Sequence, residues 1–341
     1  MKRGLIICIA IMSFLQSKGQ DIHFSNVSYS PLNLNPALVG ANHGLRAVVN
    51  YRSQWNSVAR PYSTFGFSVD SRFNEGRKGY LAMGVNFFND QAGDERMSTT
   101  SASLNAAYHV ILEESHKLGG GLYVGFGQRS LKDMGTWSAQ FDGTGFNSSL
   151  SNQENFEKMN LFHFDMGAGL LYSYEKSKRR SRRSLIQNRI NVGAGAYHLN
   201  RPNYSFIKVG SEKLAIRFTA FANAVFQVGK SNFALEPGVY YAVQGKSQEI
   251  IFGTYGKYVF EGSSRYNSNS DVSVSLGLFY RNKDALITKA MFSWSGLSVG
   301  FSYDVNTSNL TAISRSRGGF EFFLQWAMDS PFKGKSRSRW R

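Results

Sequence analysis

The chain has 341 residues, of which only 18% are charged and 14% aromatic, with 34 glycines, 6 prolines and a formal net charge of +16. A soluble domain carries about 25% charged residues, so this balance disfavours an ordinary soluble enzyme and suits a sheet with lipid on one side and a packed or wet interior on the other. Its one cysteine, Cys8, lies in the leader described next, which excludes disulfides, Fe–S centres and cysteine nucleophiles from the exported part.

Lys2 and Arg3 precede an apolar run over 4–15, and Ser17 and Gly19 are small enough for cleavage ahead of Gln20. Residues 1–19 are thus expected to be a signal peptide, and the protein to leave the cytoplasm. The exported part stays strongly basic. Export argues against a nucleic-acid partner; acidic polysaccharide, lipid headgroups or an acidic protein fit the charge better. No later stretch reaches the roughly 18–20 apolar residues of a spanning helix.

Residues 20–44 do not alternate. Ser30-Pro31, Asn35-Pro36 and Val39-Gly40 mark a turn-rich segment, expected to pack in a lumen or at a periplasmic rim. From there on, period two takes over. Leu45, Ala47, Val49 and Tyr51 alternate with Arg46, Asn50 and Arg52. Further along, Ala102, Leu104, Ala106 and Tyr108 alternate with Ser103, Asn105 and His109, and at the end Phe320, Phe322, Leu324 and Trp326 oppose Glu321, Phe323 and Gln325.

Such segments recur at 45–55, 62–71, 79–88, 99–110, 118–129, 161–174, 188–198, 215–228, 233–244, 250–261, 271–281, 286–295, 297–304 and 318–327. Lipid offers the backbone no hydrogen-bond partner, so strands in a membrane must pair and the sheet must close. The prediction is an all-β transmembrane outer-membrane β-barrel of 14 antiparallel strands over 45–327. An even count brings both termini to the periplasmic side, with 328–341 a basic periplasmic tail. The longest connection, 130–160, then lies outside, as bacterial barrels prefer.

Loop 130–160 holds Trp137, Phe141, Asp142, Phe146 and Phe156, and is expected to fold over the barrel mouth or meet a partner. Lys176, Lys178, Arg179, Arg180, Arg182 and Arg183 form a basic run in a predicted periplasmic turn, a solvated run or a contact for headgroups, peptidoglycan or an acidic partner. Arg52 lies on the polar face of the first strand, so it should point inward and need a carboxylate. Asp70, Asp304 and Glu321 are the candidates for that lumen network, and replacing Arg52 by Ala should lower the yield of folded barrel. Catalytic patterns are poor: His163 and Asp165 have no nucleophile beside them, and no enzyme activity is expected. The six histidines are scattered, and Asp90, Asp94 and Glu95 in 89–98 lack the spacing of a calcium loop. No cofactor or metal is expected.

Several stretches together carry a family resemblance. They are Asp21, His23, Phe24 and Ser25; Asn35 to Gly40; Tyr51-Arg52-Ser53-Gln54-Trp55; Pro61-Tyr62 with Thr64 and Asp70; Gly193 to Pro202; Tyr303-Asp304-Val305-Asn306 with Leu310; and Gly318-Gly319-Phe320-Glu321. In that order they resemble the PorP/SprF proteins of the Bacteroidetes type IX secretion and gliding motility machinery. The resemblance implies an integral outer-membrane protein that assists export or surface retention of clients bearing a C-terminal targeting domain, such as large cell-surface adhesins. It also implies contacts with outer-membrane lipid and with a periplasmic or peptidoglycan-binding lipoprotein or motor components. The competing reading is a diffusion channel or hydrophobic-solute transporter, with which fourteen strands are compatible.

Overall fold

The computed structural model describes residues 21–54, 61–92, 97–113, 115–131, 138–147, 149–150, 160–175, 188–206, 212–260, 272–308 and 311–328. Fourteen strands follow one another: β1 Leu45–Gln54, β2 Tyr62–Phe73, β3 Gly79–Ala92, β4 Met97–Glu113, β5 His116–Leu131, β6 Asn160–Glu175, β7 Arg189–Tyr197, β8 Arg217–Gln227, β9 Phe233–Gln244, β10 Ser247–Phe260, β11 Val272–Arg281, β12 Ala285–Trp294, β13 Leu297–Asn306 and β14 Arg317–Met328. Each pairs antiparallel with its neighbours, and β1 pairs with β14 from Leu45↔Met328 to Gln54↔Gly319, closing the barrel. No described helix is long and apolar enough to cross a membrane; the strands do the crossing.

The alternation seen in the sequence becomes an inside and an outside. In β1, Arg46, Val48, Asn50 and Arg52 are buried, while Tyr51 stands exposed. In β12, Ala285, Ile287, Lys289 and Met291 are buried, and Leu286 and Phe292 are exposed. Tyr108, Tyr172 and Trp326 are exposed toward one end and Tyr51 toward the other, as interfacial girdles require. Trp55 lies outside the described residues.

One end of the barrel carries the starts of β1 and β3 and short turns such as Ser295-Gly296; the other carries the long connections. At the long-loop end the strands outrun the sequence reading. β3 continues to Ala92 and β4 starts at Met97, so the supposed acidic loop 89–98 is mostly sheet. Asp90 is a strand residue that accepts from Thr64 Oγ1 at 2.6 Å; Asp94 and Glu95 lie outside the described residues.

Residues 21–44 fill the lumen. They form a 3₁₀ turn at Val27–Tyr29, a one-turn helix α1 at Pro31–Leu34 and a second 3₁₀ turn at Pro36–Leu38. Pro31 and Pro36 each start a turn, where a missing N–H costs nothing. Leu34, Ala37, Leu38 and Ala41 join Leu171, Phe221, Tyr240, Ile251, Tyr255, Phe279 and Ile287 of the wall in one buried cluster. Leu32 and Val39 join Tyr80, Ala82 and Ala107 in another.

The segment also runs from end to end. Asp21 meets the ends of β7, β8 and β9 at the long-loop mouth, and Gly40 meets β2 near the turn end. The even strand count does bring both ends of the sheet to one side, as expected. It does not bring Asp21 there, because the chain first crosses the lumen in the opposite direction.

Candidate functional site

The site is built where this inner segment meets the wall. In its middle, Asn35 caps its own turn, accepting from Ala37 N at 2.8 Å, and its amide nitrogen donates to Leu170 O and Ala194 O, each at 3.0 Å. It thereby bridges β6 and β7. The backbone comes this close because Gly121, Gly169 and Gly195 stand in register across β5, β6 and β7. A Cβ on Gly121 would lie 2.5 Å from Ala37 N.

Nearer the long-loop mouth, Ser25 gathers the buried charges. Its hydroxyl donates to Asp304, 2.7 Å from Oδ2, and accepts from Arg52 Nη1 at 2.5 Å and Arg281 Nη2 at 2.6 Å. One hydrogen and two lone pairs are thus all used. Ser25 N donates to Glu321 Oε2 at 2.6 Å, Asn26 N donates to Glu321 Oε1 at 3.0 Å, and Lys289 Nζ donates to Ser25 O at 2.6 Å.

Arg52 lies 3.1 Å from Asp304 and 3.3 Å from Glu321. Register explains the second contact, since Arg52 and Glu321 are direct partners across β1 and β14. Arg281 also reaches Glu249 at 2.9 Å and Asp284 at 3.0 Å. The centre of the network is nearly dry, with Arg52, Asp304 and Glu321 at most 3% exposed, while Glu249 and Asp284 stand at its wetter rim.

Asp70 does not belong to that network. It is the register partner of Arg46, six positions along β1 from Arg52, and takes Arg46 in a two-pronged contact at 2.8 and 3.1 Å. Asp70 also accepts from Gly40 N at 2.7 Å, and Arg46 Nη2 donates to Leu38 O at 3.1 Å. His109 Nε2 lies 2.8 Å from Val39 O, and Arg72 Nη2 donates to Ala41 O at 2.8 Å. These contacts clamp the turn end of the inner segment.

At the opposite mouth, His198 stands just past β7 with φ +58°. Its Nε2 is 2.5 Å from Asp21 Oδ2, and its Nδ1 is 2.8 Å from Asp165 Oδ2. Tyr123 donates its hydroxyl to Asp165 at 2.5 Å, and Arg217 lies 3.8 Å from Asp21. His198, not the nearer-in-sequence His163, is therefore the histidine that meets Asp165. Burial alone would lower the imidazole, but the carboxylates of Asp21 and Asp165 outweigh it and lift His198 to about 9. Burial would raise Asp21, but His198 and Arg217 hold it down at about 2.

The signs follow from linkage. A raised histidine contributes stability in full below its unfolded value near 6.5, lost as pH rises through about 9. A lowered carboxylate contributes above its ordinary 3.8, lost as pH falls through about 2. The thermal midpoint of the purified barrel should be highest from roughly pH 4 to 6.5 and decline toward pH 10. His198→Asn, which tolerates the left-handed backbone, should flatten the alkaline decline. An unchanged alkaline limb would show that this latch is energetically idle.

Beside Asp21 and His23 the mouth keeps a cavity of about 310 Å³, bordered by Gln54, Gln244, Glu249 and Arg281. Among the described residues of loop 130–160, Phe141 and Phe146 pair with each other in an isolated antiparallel bridge, their ring centroids 6.3 Å apart, and both are exposed. Asp142 closes the turn between them, accepting from Thr144 Oγ1, Thr144 N and Gly145 N at 2.7, 3.0 and 3.1 Å. These bonds hold its carboxyl below the ordinary range. Trp137 and Phe156, and the run Lys176, Lys178, Arg179, Arg180, Arg182 and Arg183, lie outside the described residues. Among the described residues, no group of three His, Cys, Asp or Glu side chains is placed to hold a metal.

Sequence reasoning named Arg52 with Asp70, Asp304 or Glu321 as its partner; Asp70 instead belongs to Arg46, and Arg46, Lys289, Arg281 and His198 were passed over. Two of these were legible: Arg46 sits on the same face as Arg52, and His198 ends an alternating run.

No curated protein matches the chain. Among solved structures, the CymD monoaromatic hydrocarbon channel is similar over 91% of this chain and 95% of its own, with 12% identity and a TM-score of 0.45. A TodX deletion mutant, also a monoaromatic hydrocarbon channel, is similar over 90% and 95%, with 9% identity and a TM-score of 0.45. The translocator domain of the autotransporter NalP from Neisseria meningitidis is similar over 95% and 94%, with 9% identity and a TM-score of 0.32. Likenesses this distant say nothing of function. Residues 16–326 match the family described as type IX secretion system membrane protein PorP/SprF. With its closed barrel and that match over nearly the whole chain, this integral outer-membrane protein belongs to the PorP/SprF family.

Proposed function

We propose that the protein is a plugged, non-enzymatic outer-membrane scaffold of type IX secretion, assisting export or surface retention of client proteins with a C-terminal targeting domain, large adhesins among them. The observation that carries this over a diffusion channel is the inner segment. Its backbone is held at the turn end by Asp70 and Arg46, its other end by the Asp21–His198 ion pair and the Ser25 contacts, and its middle is bonded to two strands, an arrangement a solute path would have to dismantle. In this reading the long-loop end faces outward and presents the client surface, including Phe141 and Phe146. A peptidoglycan-binding lipoprotein or motor component would meet the basic run at 176–183 on the periplasmic side in this reading.

The test is affinity purification of the tagged protein from its native outer membrane after mild crosslinking. A client with a type IX C-terminal domain should be recovered with it. Recovery of the barrel alone would overturn the proposal.

A further inference from the structure

Strand β6, with 16 residues, is longer than its neighbour β7, with 9. It pairs with β5 along its whole length, from Ser130↔Asn160 to His116↔Tyr174. It pairs with β7 only from Ala168↔Ala196 onward. Among the described residues, the first eight residues of β6, at the long-loop mouth, therefore have a strand on one flank and none on the other. Two local bonds cover part of the open flank: Leu199 N donates to Met166 O at 3.0 Å, and Asn200 Nδ2 donates to Phe164 O at 2.6 Å.

In an antiparallel sheet, N–H and C=O of one residue point to the same flank, and the flank alternates along the strand. The bond to Met166 O thus assigns the open flank to the even-numbered residues. Phe162 N–H, Phe162 C=O and Phe164 N–H face it without a partner among the described residues. Their side chains are on the outer face, where Phe162 is 76% exposed and Phe164 packs edge-on against Phe126 at 5.4 Å.

Bare backbone groups flanked by exposed phenylalanines suit neither solvent. In hydrocarbon the polar groups go unsatisfied, and in water a free apolar edge is a template for another chain. The spacing of the free donors and acceptor fits an extended backbone. A second copy cannot supply it, because antiparallel pairing of identical edges needs a two-fold axis across the sheet. That axis would lie in the membrane plane and turn one barrel upside down.

We propose that Asn160–Phe164 of β6 is a strand-addition site for an extended segment of the exported client, with apolar residues at alternate positions to lie beside Phe162 and Phe164. The client's identity as an exported protein rests on the function proposed above; the edge and the kind of segment that fits it do not.

Phe162→Pro is the discriminating variant. It removes an N–H that points away from β5, and proline is tolerated on an edge strand. Heat-modifiable migration should be unchanged, while recovery of client from crosslinked membranes should fall by about tenfold. A folded F162P barrel that recovers client as well as wild type would overturn the edge site and leave the secretion reading standing. A wild-type barrel that recovers no client would overturn both. Hydrogen exchange on the wild-type protein gives a second readout. The Phe162 and Phe164 amides should exchange quickly in the barrel alone and slowly with the co-purified client, and equal rates in both would overturn the site.

Discussion

Arg52→Ala is expected to remove most of the folded barrel, seen as loss of the fast-migrating band in unheated gels of outer membranes. The guanidinium serves two carboxylates and the Ser25 hydroxyl in a setting almost free of water. Removing one partner of a buried ion pair costs about 3–5 kcal/mol, because the remaining charge is stranded. Here two charges are affected. Asp304 keeps Arg281, 3.1 Å away. Among the described residues Glu321 keeps two backbone donors, from Ser25 and Asn26, and the charge of nearby Lys289, with no hydrogen-bonded cation.

The loss should therefore be greater than for Arg281→Ala, whose carboxylates Glu249 and Asp284 stand at the more exposed rim. Glu321→Gln in the Arg52→Ala background should restore part of the yield, since it removes the charge and its carbonyl oxygen still accepts from one of the two N–H groups, although its amide nitrogen cannot accept from the other. Normal yield and heat resistance in the single variant would sink the idea that this network holds the barrel to its inner segment.

How this network was legible, and how it was not, has a physical reason. Period-two alternation is local, so the fourteen strands could be counted from residues alone. Their ends were placed within a few residues, with errors where β3, β4 and β10 outrun their apolar stretch. Arg52 could be read as inward because its neighbours Val49 and Tyr51 are apolar and on the opposite face. Its partners were harder. Glu321 differs from Asp70 only in register, which depends on which residue of β1 meets which residue of β14 and β2, and Asp304 lies one strand further on, in β13.

The course of 21–44 was harder still. Its turns are encoded by Pro31, Asn35 and Pro36, but the direction it takes through the lumen is set by distant groups: His198, Asp304 and Thr219, whose hydroxyl donates to Leu34 O at 2.6 Å, on the wall, and the gap left by three in-register glycines. The stretches that carried the family resemblance prove to be many of these contacts. Asp21 meets His198, Ser25 meets Arg52 and Asp304, and Asn35 meets the strands that carry Gly169 and Gly193 to Gly195.

Deleting residues 21–41 while keeping residues 1–20 is expected to turn a silent barrel into a conducting one in planar bilayers. Eight strands leave room only for side chains, whereas 16–18 leave a water-filled channel. Fourteen strands, several lined by glycine where the segment now sits, should leave an aqueous path once it is gone. With Arg46, Arg52, Arg281 and Lys289 then facing that path, the steps should favour anions.

Gly121→Leu tests the same point with one substitution. Its side chain would enter the space held by the Ala37 backbone, and the displaced segment should give intermittent openings in place of steady ones. Both variants must first show heat-modifiable migration, since the deletion strips Ser25 from the buried charges. Silence from two folded variants would mean that the long-loop side, not the inner segment, closes the lumen. Discrete steps from both would place the seal in 21–44. Client recovery from the Gly121→Leu barrel would then separate two roles: a lost client would make the seal part of the docking surface, and a retained one would make it only a stopper.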